Sequence, residues 1–413
     1  MAGQVHVIGA GLAGLAAALA LADAGRAVVL HEAGPAAGGR CRSYPDRALG
    51  LTIDNGNHLL LSGNTAAFAY LDRIGARATM GGPAEPAFPF IDISSGARWT
   101  VRPNRGRLPW WIFSPSRRVP GTRAADYLKL LRLRGVADDR SVAALLSPGP
   151  LTRLLIEPLA IAALNTPPET GLARLLGAVM GETLMRGGNA CIPRFPLTSL
   201  ADSLVDPALA ALRAAGATLH FSRRVAALDI VGNRVMALRL PDETLTLGSA
   251  DSVVLAVPPW VAADLLPGLR TPDAFEAIMN IHFRVAASAG AAGFVGVIGG
   301  TSEWVFVKPG HVSVTVSAAN RLVDTAADTI AAAVWPDVCA ALGLSGAMPP
   351  WRVVKEKRAT FAATAGQQAR RPASRIGLVN LALAGDWTAT GLPATIEGAI
   401  RSGDSAARTI LAT

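Results

Sequence analysis

The sequence predicts an α/β protein in which a parallel sheet with flanking helices is interrupted by a second, discontinuous domain of mixed α+β character. Three observations predict this. Val5, Val7 and Ile8 form a β-like run that enters Gly9-Ala10-Gly11-Leu12-Ala13-Gly14, an Ala/Leu-rich segment to Ala24, a turn at Gly25, a second run Ala27-Val28-Val29-Leu30, and then Glu32. A similar apolar run, Val253-Val254-Leu255-Ala256-Val257, recurs in the middle of the chain. A third, Leu381-Ala382-Leu383-Ala384, leads into Gly385-Asp386-Trp387 and a final helical segment. Short apolar runs bounded by turn residues are the signature of strands buried on both faces.

Each part of the first unit has a physical job. Gly9 allows a tight turn, Gly11 lets backbone approach a pyrophosphate, and Gly14 lets helix and strand pack closely. Leu12 and Ala13 open the helix, whose free N–H groups and dipole favour phosphate. Glu32, followed by Ala33, ends the second strand where a carboxylate accepts hydrogen bonds from a ribose. One loop later, Gly39 and Arg40 bring a guanidinium back over the pyrophosphate from the side opposite the helix. This pattern points away from nicotinamide and toward FAD, so the expected fold is a Rossmann-type FAD-binding domain. Val7 to Ala22 superficially resembles a secretory signal, but no Lys or Arg precedes it and three glycines interrupt it. The expectation is a buried strand and helix in a cytoplasmic protein.

The 413 residues suffice for two domains with substantial cores. Hydrophobic residues make up 51% and charged residues 17%, yet no run reaches the 18 or more uninterrupted apolar residues of a membrane span. The excess apolar surface is expected to line a cavity, a membrane-facing patch, or both. Cys41, Cys191 and Cys339 lie far apart, without metal or redox spacing, which implies a reducing compartment and no metal site. Net charge is +9, and ten Lys/Arg against three Asp lie between Arg102 and Arg140. No nucleic-acid motif accompanies them.

Asp54-Asn55-Gly56-Asn57-His58 is a polar turn beside an apolar run, placed to reach a flavin ring or a substrate. Gly56, Asn57 and His58 are candidate flavin contacts and His58 is the catalytic candidate; the plainer alternative is that these side chains bond only their own turn. Trp99, Trp110 and Trp111 stand among arginines, which fits a lipid interface or an ordinary solvated basic face. Tyr127 to Arg134 reads as a basic amphipathic helix. Val225, after the run Thr218-Leu219-His220-Phe221, is assigned to the cofactor, and a strand-like alternation continues from Leu228 to Leu240. Between Arg270 and Trp351, β-like runs alternate with a helix ending near Trp335-Pro336. The FAD-binding domain is therefore placed at residues 1–80, 197–269 and 375–413, and the substrate domain at 81–196 and 270–374, with its basic, Trp-containing segment at 98–134. In the last segment Asp386 accepts a bond from a ribitol hydroxyl. A helix starting near Pro393, with Thr395 and Ile396, aims its N–H groups at the flavin edge where reduction builds negative charge.

Residues 54–64, Leu164-Asn165-Thr166-Pro167-Pro168, Pro193-Arg194 with Leu197, Glu303-Trp304-Val305-Phe306 and Gly385-Asp386-Trp387-Thr388 resemble the hydroxysqualene dehydroxylase family, within the flavin amine oxidase and phytoene desaturase superfamily. The resemblance implies reductive chemistry of hopanoid synthesis: hydroxysqualene loses its allylic hydroxyl, reduced flavin N5 delivers a hydride, and squalene results. It also implies an apolar triterpenoid substrate, an external electron donor and an upstream hydroxysqualene synthase, while the Trp- and Arg-containing segment carries the expectation of peripheral contact with the inner face of the cytoplasmic membrane. No cysteine lies near the C-terminal motif, so the FAD is expected to be non-covalent. Burying a long hydrocarbon at roughly 25 cal/mol per Å² suits the apolar composition. Three alternatives stay open: an isoprenoid desaturase or isomerase working with oxidised flavin, an amine oxidase, and a flavin-free prenyl-lipid escort. An amine oxidase would frame its amine with aromatic rings; Tyr44, Tyr70 and Tyr127 are all remote from the C-terminal motif, which leaves Trp304 or Trp387 to serve. The acid that helps the hydroxyl leave is either His58 or a flavin-bound water chain.

Overall fold

The computed structural model describes residues 3–413. Five strands form one wholly parallel sheet in the order Thr218–His220, Ala27–His31, Gln4–Ile8, Ser252–Leu255, Leu381–Leu383. The first strand has Ala27–His31 on one side and the much later Ser252–Leu255 on the other, so the strand order reverses there, and open α/β sheets take their ligands at the carboxyl end of such a point. Gly9 stands at that point.

The strands are apolar because both faces are covered. Helices Leu12–Asp23, Asp206–Ala214 and Ile396–Leu411 pack on one side. On the other lies a small antiparallel sheet of Ala227–Val231, Arg234–Arg239 and Thr244–Thr246, whose Val235 and Leu238 meet Leu255 and Leu383. The alternation from Leu228 to Leu240 is thus a hairpin that turns at Gly232-Asn233, not one strand. Helix Leu12–Asp23 buries nine of its 12 residues, as an all-apolar helix must. Helix Ile396–Leu411 lies close against it: a Cβ on Gly403 would sit 2.2 Å from the Ala13 carbonyl oxygen.

The second sheet has seven strands in the order Trp351–Phe361, Phe275–Phe283, His311–Val316, Trp304–Lys308, Phe294–Ile298, Phe88–Asp92, Arg98–Val101. Period-two alternation separates its faces. Met279, Ile281, Val305 and Val314 face helix Ala327–Leu342, while Phe90, Phe294, Trp304 and Phe306 face the helical segments between Val142 and Glu182.

Two helix expectations need correction. Pro336 lies inside helix Ala327–Leu342 rather than ending it. Its missing N–H faces solvent, beside exposed Ala332, while Val334, Trp335 and Val338 are buried and hold the helix on the sheet. Residues 124–133 form a 3₁₀ segment, not an α-helix. Its buried residues Tyr127, Leu130 and Leu133 recur every three positions, the period of that tighter helix. Among the described residues no helix is long and apolar enough to cross a membrane.

Candidate functional site

The glycine turn is built by backbone constraints. Gly9 has φ +104°, a left-handed value, and its N–H donates to His31 O at 2.7 Å. A Cβ on Gly14 would lie 1.9 Å from Gly9 O, so any larger residue would push helix from strand. Gly11 differs: a Cβ there would meet nothing within 4 Å. Helix Leu12–Asp23, which it precedes, has no side-chain cap. That opening beside uncapped N–H groups fits a phosphate group. Glu32 takes Ala10 N–H on one oxygen at 2.8 Å and Gly34 N–H on the other at 2.7 Å. A carboxylate has about four lone-pair sites, so room for a ribose remains. Ala33 is exposed next to it.

The second glycine loop closes on the first. Gly11 bridges Gly38, and Gly38 N–H donates to Ala10 O at 2.8 Å. Gly39 lies against Gly11, and Arg40 extends across to donate to Asp386 Oδ1, in the loop after the last strand, at 2.7 Å and to Ala359 O, on strand Trp351–Phe361, at 2.5 Å. Burial opposes the Arg40 charge, but Asp386 outweighs it and holds the guanidinium above its ordinary range. Arg40 and Asp386, expected to contact separate parts of a dinucleotide, are thus partners of each other. Val225 has its side chain committed to the core with Ile8 and Leu255, which leaves its backbone groups for contacts.

The loop after Asp386 is organised by a residue the sequence did not flag. Buried Arg371 donates to the carbonyls of Asp386, Thr388 and Leu392 and to Thr390 Oγ1. Its pKa is pushed down to about 10 by burial, while Phe361 stacks under it at 4.7 Å. The helix that follows starts at Ile396, not at Pro393, because Thr395 caps it by accepting Gly398 N–H at 3.0 Å. Ile396 is buried in the core. Glu397, in its first turn, accepts Ala66 and Ala67 N–H at 3.0 and 2.8 Å and so caps helix Thr65–Arg73.

The polar turn at 54–58 joins the two sheets. Asn57 Nδ2 donates to Ser313 Oγ at 2.8 Å and Thr315 Oγ1 at 3.1 Å, and Asn280 Nδ2 donates to Asn55 O at 3.1 Å beside Gly56. Asp54 accepts Ser43 Oγ–H at 2.6 Å, Leu200 N–H at 2.8 Å and the ammonium of Lys308. Burial pushes Asp54 up, but Lys308 and these donors more than reverse it, leaving the carboxyl below its ordinary range. Lys308 was missed, although a lysine ending the apolar run Val305-Phe306-Val307 is the available signal. Asn55 Oδ1 and Asn57 Oδ1 are buried with no partner among the described residues. Such orphaned acceptors fit a ligand that brings donors. His58 lies 3.9 Å from Cys41 Sγ, and burial pushes its pKa down to about 4.

Other motif residues serve structure. Asn165 ends helix Glu157–Leu164 at φ +48°, donates to Thr360 Oγ1 at 2.9 Å and accepts Ala318 N–H at 2.7 Å. Thr166 Oγ1 accepts Ala363 N–H at 2.8 Å. Arg194 binds Pro83 O and Pro193 O.

A parallel sheet, a glycine turn where its strand order reverses and an acid at the second strand's end define a dinucleotide-binding oxidoreductase fold. The chain matches the flavin-containing amine oxidoreductase family over residues 12–291 and 306–411, and it belongs to that family. It is 50% identical over 414 aligned residues to the hydroxysqualene dehydroxylase of Rhodopseudomonas palustris, covering 100% of this chain and 99% of the relative. The hydroxysqualene dehydroxylase of Sinorhizobium fredii is 48% identical, with 98% and 97% covered. Within the flavin-containing family, then, the chain is a member of the hydroxysqualene dehydroxylase group. An oxidoreductase from Methanosarcina mazei shares the fold at TM-score 0.74 and 15% identity, with 99% of this chain and 100% of that one covered. Cyclohexylamine oxidase from Brevibacterium oxydans does so at 0.71 and 18%, with 99% of each covered.

Proposed function

We propose that the protein converts hydroxysqualene to squalene with non-covalently held FAD, the five-stranded unit taking the cofactor and the seven-stranded unit the substrate. The observation that carries this reading is half-identity along the entire chain to a hydroxysqualene dehydroxylase. Glu32 would hold the ribose, Gly11 and the first turn of helix Leu12–Asp23 the pyrophosphate, and Arg40 and Asp386 the adjoining stretch. When bound, the reduced cofactor supplies the two electrons that replace an allylic C–O bond with C–H, the oxygen leaving as water.

The side of the seven-stranded sheet that packs on the helical segments is aromatic. Phe294 lies 5.9 Å from Trp304 and 5.8 Å from Phe306, and ring faces attract the delocalised cation that forms as an allylic hydroxyl leaves. Trp304 Nε1–H is buried without an acceptor among the described residues, a donor suited to a hydroxyl-bearing ligand. His58 is neutral at physiological pH, since its pKa is about 4, so it orients or relays a proton rather than storing one. The protein acts in the cytoplasm, on an isoprenoid supplied by an upstream hydroxysqualene-forming enzyme, and receives electrons from an external donor.

The test is anaerobic: photoreduce the purified holoprotein, add hydroxysqualene, and follow flavin absorbance together with squalene. Reoxidation matched by squalene is expected. A cofactor that stays reduced, but in its oxidised form is bleached by a more saturated isoprenoid, would reverse the assigned direction. His58→Gln should lower turnover while leaving flavin occupancy intact.

A further inference from the structure

Large exposed apolar side chains are few on this molecule, and they are not scattered. Of eleven among the described residues, five (Leu108, Trp110, Phe113, Leu128 and Leu131) fall within residues 108–131, each between 56% and 65% exposed. They belong to or flank two 3₁₀ segments, Trp110–Phe113 and Ala124–Leu133. These segments pack on each other: the Trp111 ring meets Tyr127 edge-on at 5.0 Å, and Val119 N–H donates to Tyr127 Oη at 2.9 Å. The adjacent tryptophans are therefore not equivalent, since Trp111 is core and only Trp110 faces out. Each segment buries one side and presents the other.

The presentation is built rather than loose. Asn104 donates to Leu108 O at 2.9 Å and accepts Trp111 N–H at 3.2 Å, and Arg118 donates to Ile112 O at 2.8 Å. The loop is tied inward by Gly188 N–H to Asn104 O at 2.9 Å and Asn189 N–H to Arg105 O at 3.0 Å. The Trp110 and Phe113 rings stay 6.2 Å apart in solvent. Around them the charge is strongly net positive, Asp126 and the Glu85 that pairs with Arg105 being the acidic exceptions. Residues 102–134 carry nine Lys or Arg against a single Asp, a net +8 of the chain's +9, and Arg102, Arg107, Arg123, Arg132 and Arg134 are exposed.

We propose that this face docks onto an anionic phospholipid surface. Apolar rings and leucines enter the headgroup boundary while guanidinium groups meet lipid phosphate. A strongly net-positive charge around an apolar centre complements an anionic leaflet. The docking stands on these residues alone; that it delivers an apolar substrate rests on the function proposed above.

The experiment uses the holoprotein with vesicles of phosphatidylglycerol and phosphatidylcholine, and with phosphatidylcholine alone, in flotation at two salt concentrations. Binding is expected only with the anionic vesicles, weaker at high salt, with a blue shift of tryptophan emission. The double variant Trp110→Ser/Phe113→Ser should lower partitioning at least tenfold, and each of Arg107→Gln and Arg132→Gln roughly fivefold. Val231→Ser and Val379→Ser, 70% and 45% exposed but elsewhere, should change nothing. Detergent-dispersed substrate should be turned over normally by the double variant and vesicle-borne substrate poorly. Absence of wild-type flotation, equal binding to neutral vesicles, unchanged binding of the double variant, or loss of its activity in detergent would each overturn the proposal. A protein that floats as expected yet makes no squalene would refute the function and leave the docking intact.

Discussion

Replacing Lys308 with Met strands a carboxylate. The Lys308 and Asp54 side chains are 4% and 2% exposed, so water does not screen them, and removing one member of a buried pair costs about 3–5 kcal/mol. Asp54 keeps the bonds from Ser43 and Leu200, which favours the lower end, about 3 kcal/mol. With unfolding entropy near 2.1 cal/mol/K per residue, a chain of 413 residues should lose about 3–4 °C in Tm. The sign with pH is specific. In the wild type the Asp54 pKa is held down, so its stabilisation is complete above the unfolded carboxylate pKa and is lost as pH falls through the lowered folded value. In Lys308→Met burial acts unopposed by the ammonium and raises that pKa, so the deficit is largest at alkaline pH and shrinks on acidification. Calorimetry of both proteins at pH 8 and pH 5.5 reads this directly, and Asp54→Asn/Lys308→Met should recover most of the loss. A deficit under about 1 kcal/mol, one identical at both pH values, or a double variant no better than the single would refute the reasoning.

Gly11→Ala and Gly14→Ala should separate binding from folding. The first adds a methyl to open space and should reduce the flavin absorbance of purified protein with little change in apoprotein Tm; the second clashes with Gly9 O and should lower Tm itself. Glu397→Ala removes the acceptor of two backbone N–H groups and should cost about 2–4 kcal/mol in chemical denaturation. All six histidines have pKa values below the ordinary one, with burial the leading cause, and His31, His58 and His282 fall to about 3, 4 and 3. A base whose folded pKa is depressed keeps its stabilisation above the unfolded value and loses it as pH falls below about 6.5. Unfolding at pH 5 should therefore take up at least about three protons, visible as a steep fall of Tm from pH 7 to pH 5.

The glycine turn and the acid after the second strand were legible because their geometry is local. Gly9, Gly11, Gly14 and Glu32 each answer to a backbone or charge requirement set within about thirty residues of sequence. The polar turn at 54–58 was visible as a candidate, but its anchors, Asn280, Lys308, Ser313 and Thr315, come from strands more than two hundred residues away. Nothing local marks an asparagine or threonine on an apolar strand as one that faces a distant loop. Arg371 gave no signal either, since its partners are mainly carbonyl groups. Trp110 and Trp111 read alike because adjacent residues share composition and differ only in direction.

The pairing of helix Leu12–Asp23 with helix Ile396–Leu411, and of the edge strand Leu381–Leu383 with the same sheet, sets a schedule for synthesis. At about 5–20 residues per second, a ribosome needs roughly 15–60 s between helix Thr65–Arg73 and the last strand. Through that interval the part of the first apolar face that the last helix covers waits for it, and the seven-stranded sheet is translated in between. A message truncated before the final helix yields a chain whose helix Leu12–Asp23 keeps helix Asp206–Ala214 beside it but lacks the close cover of Ile396–Leu411.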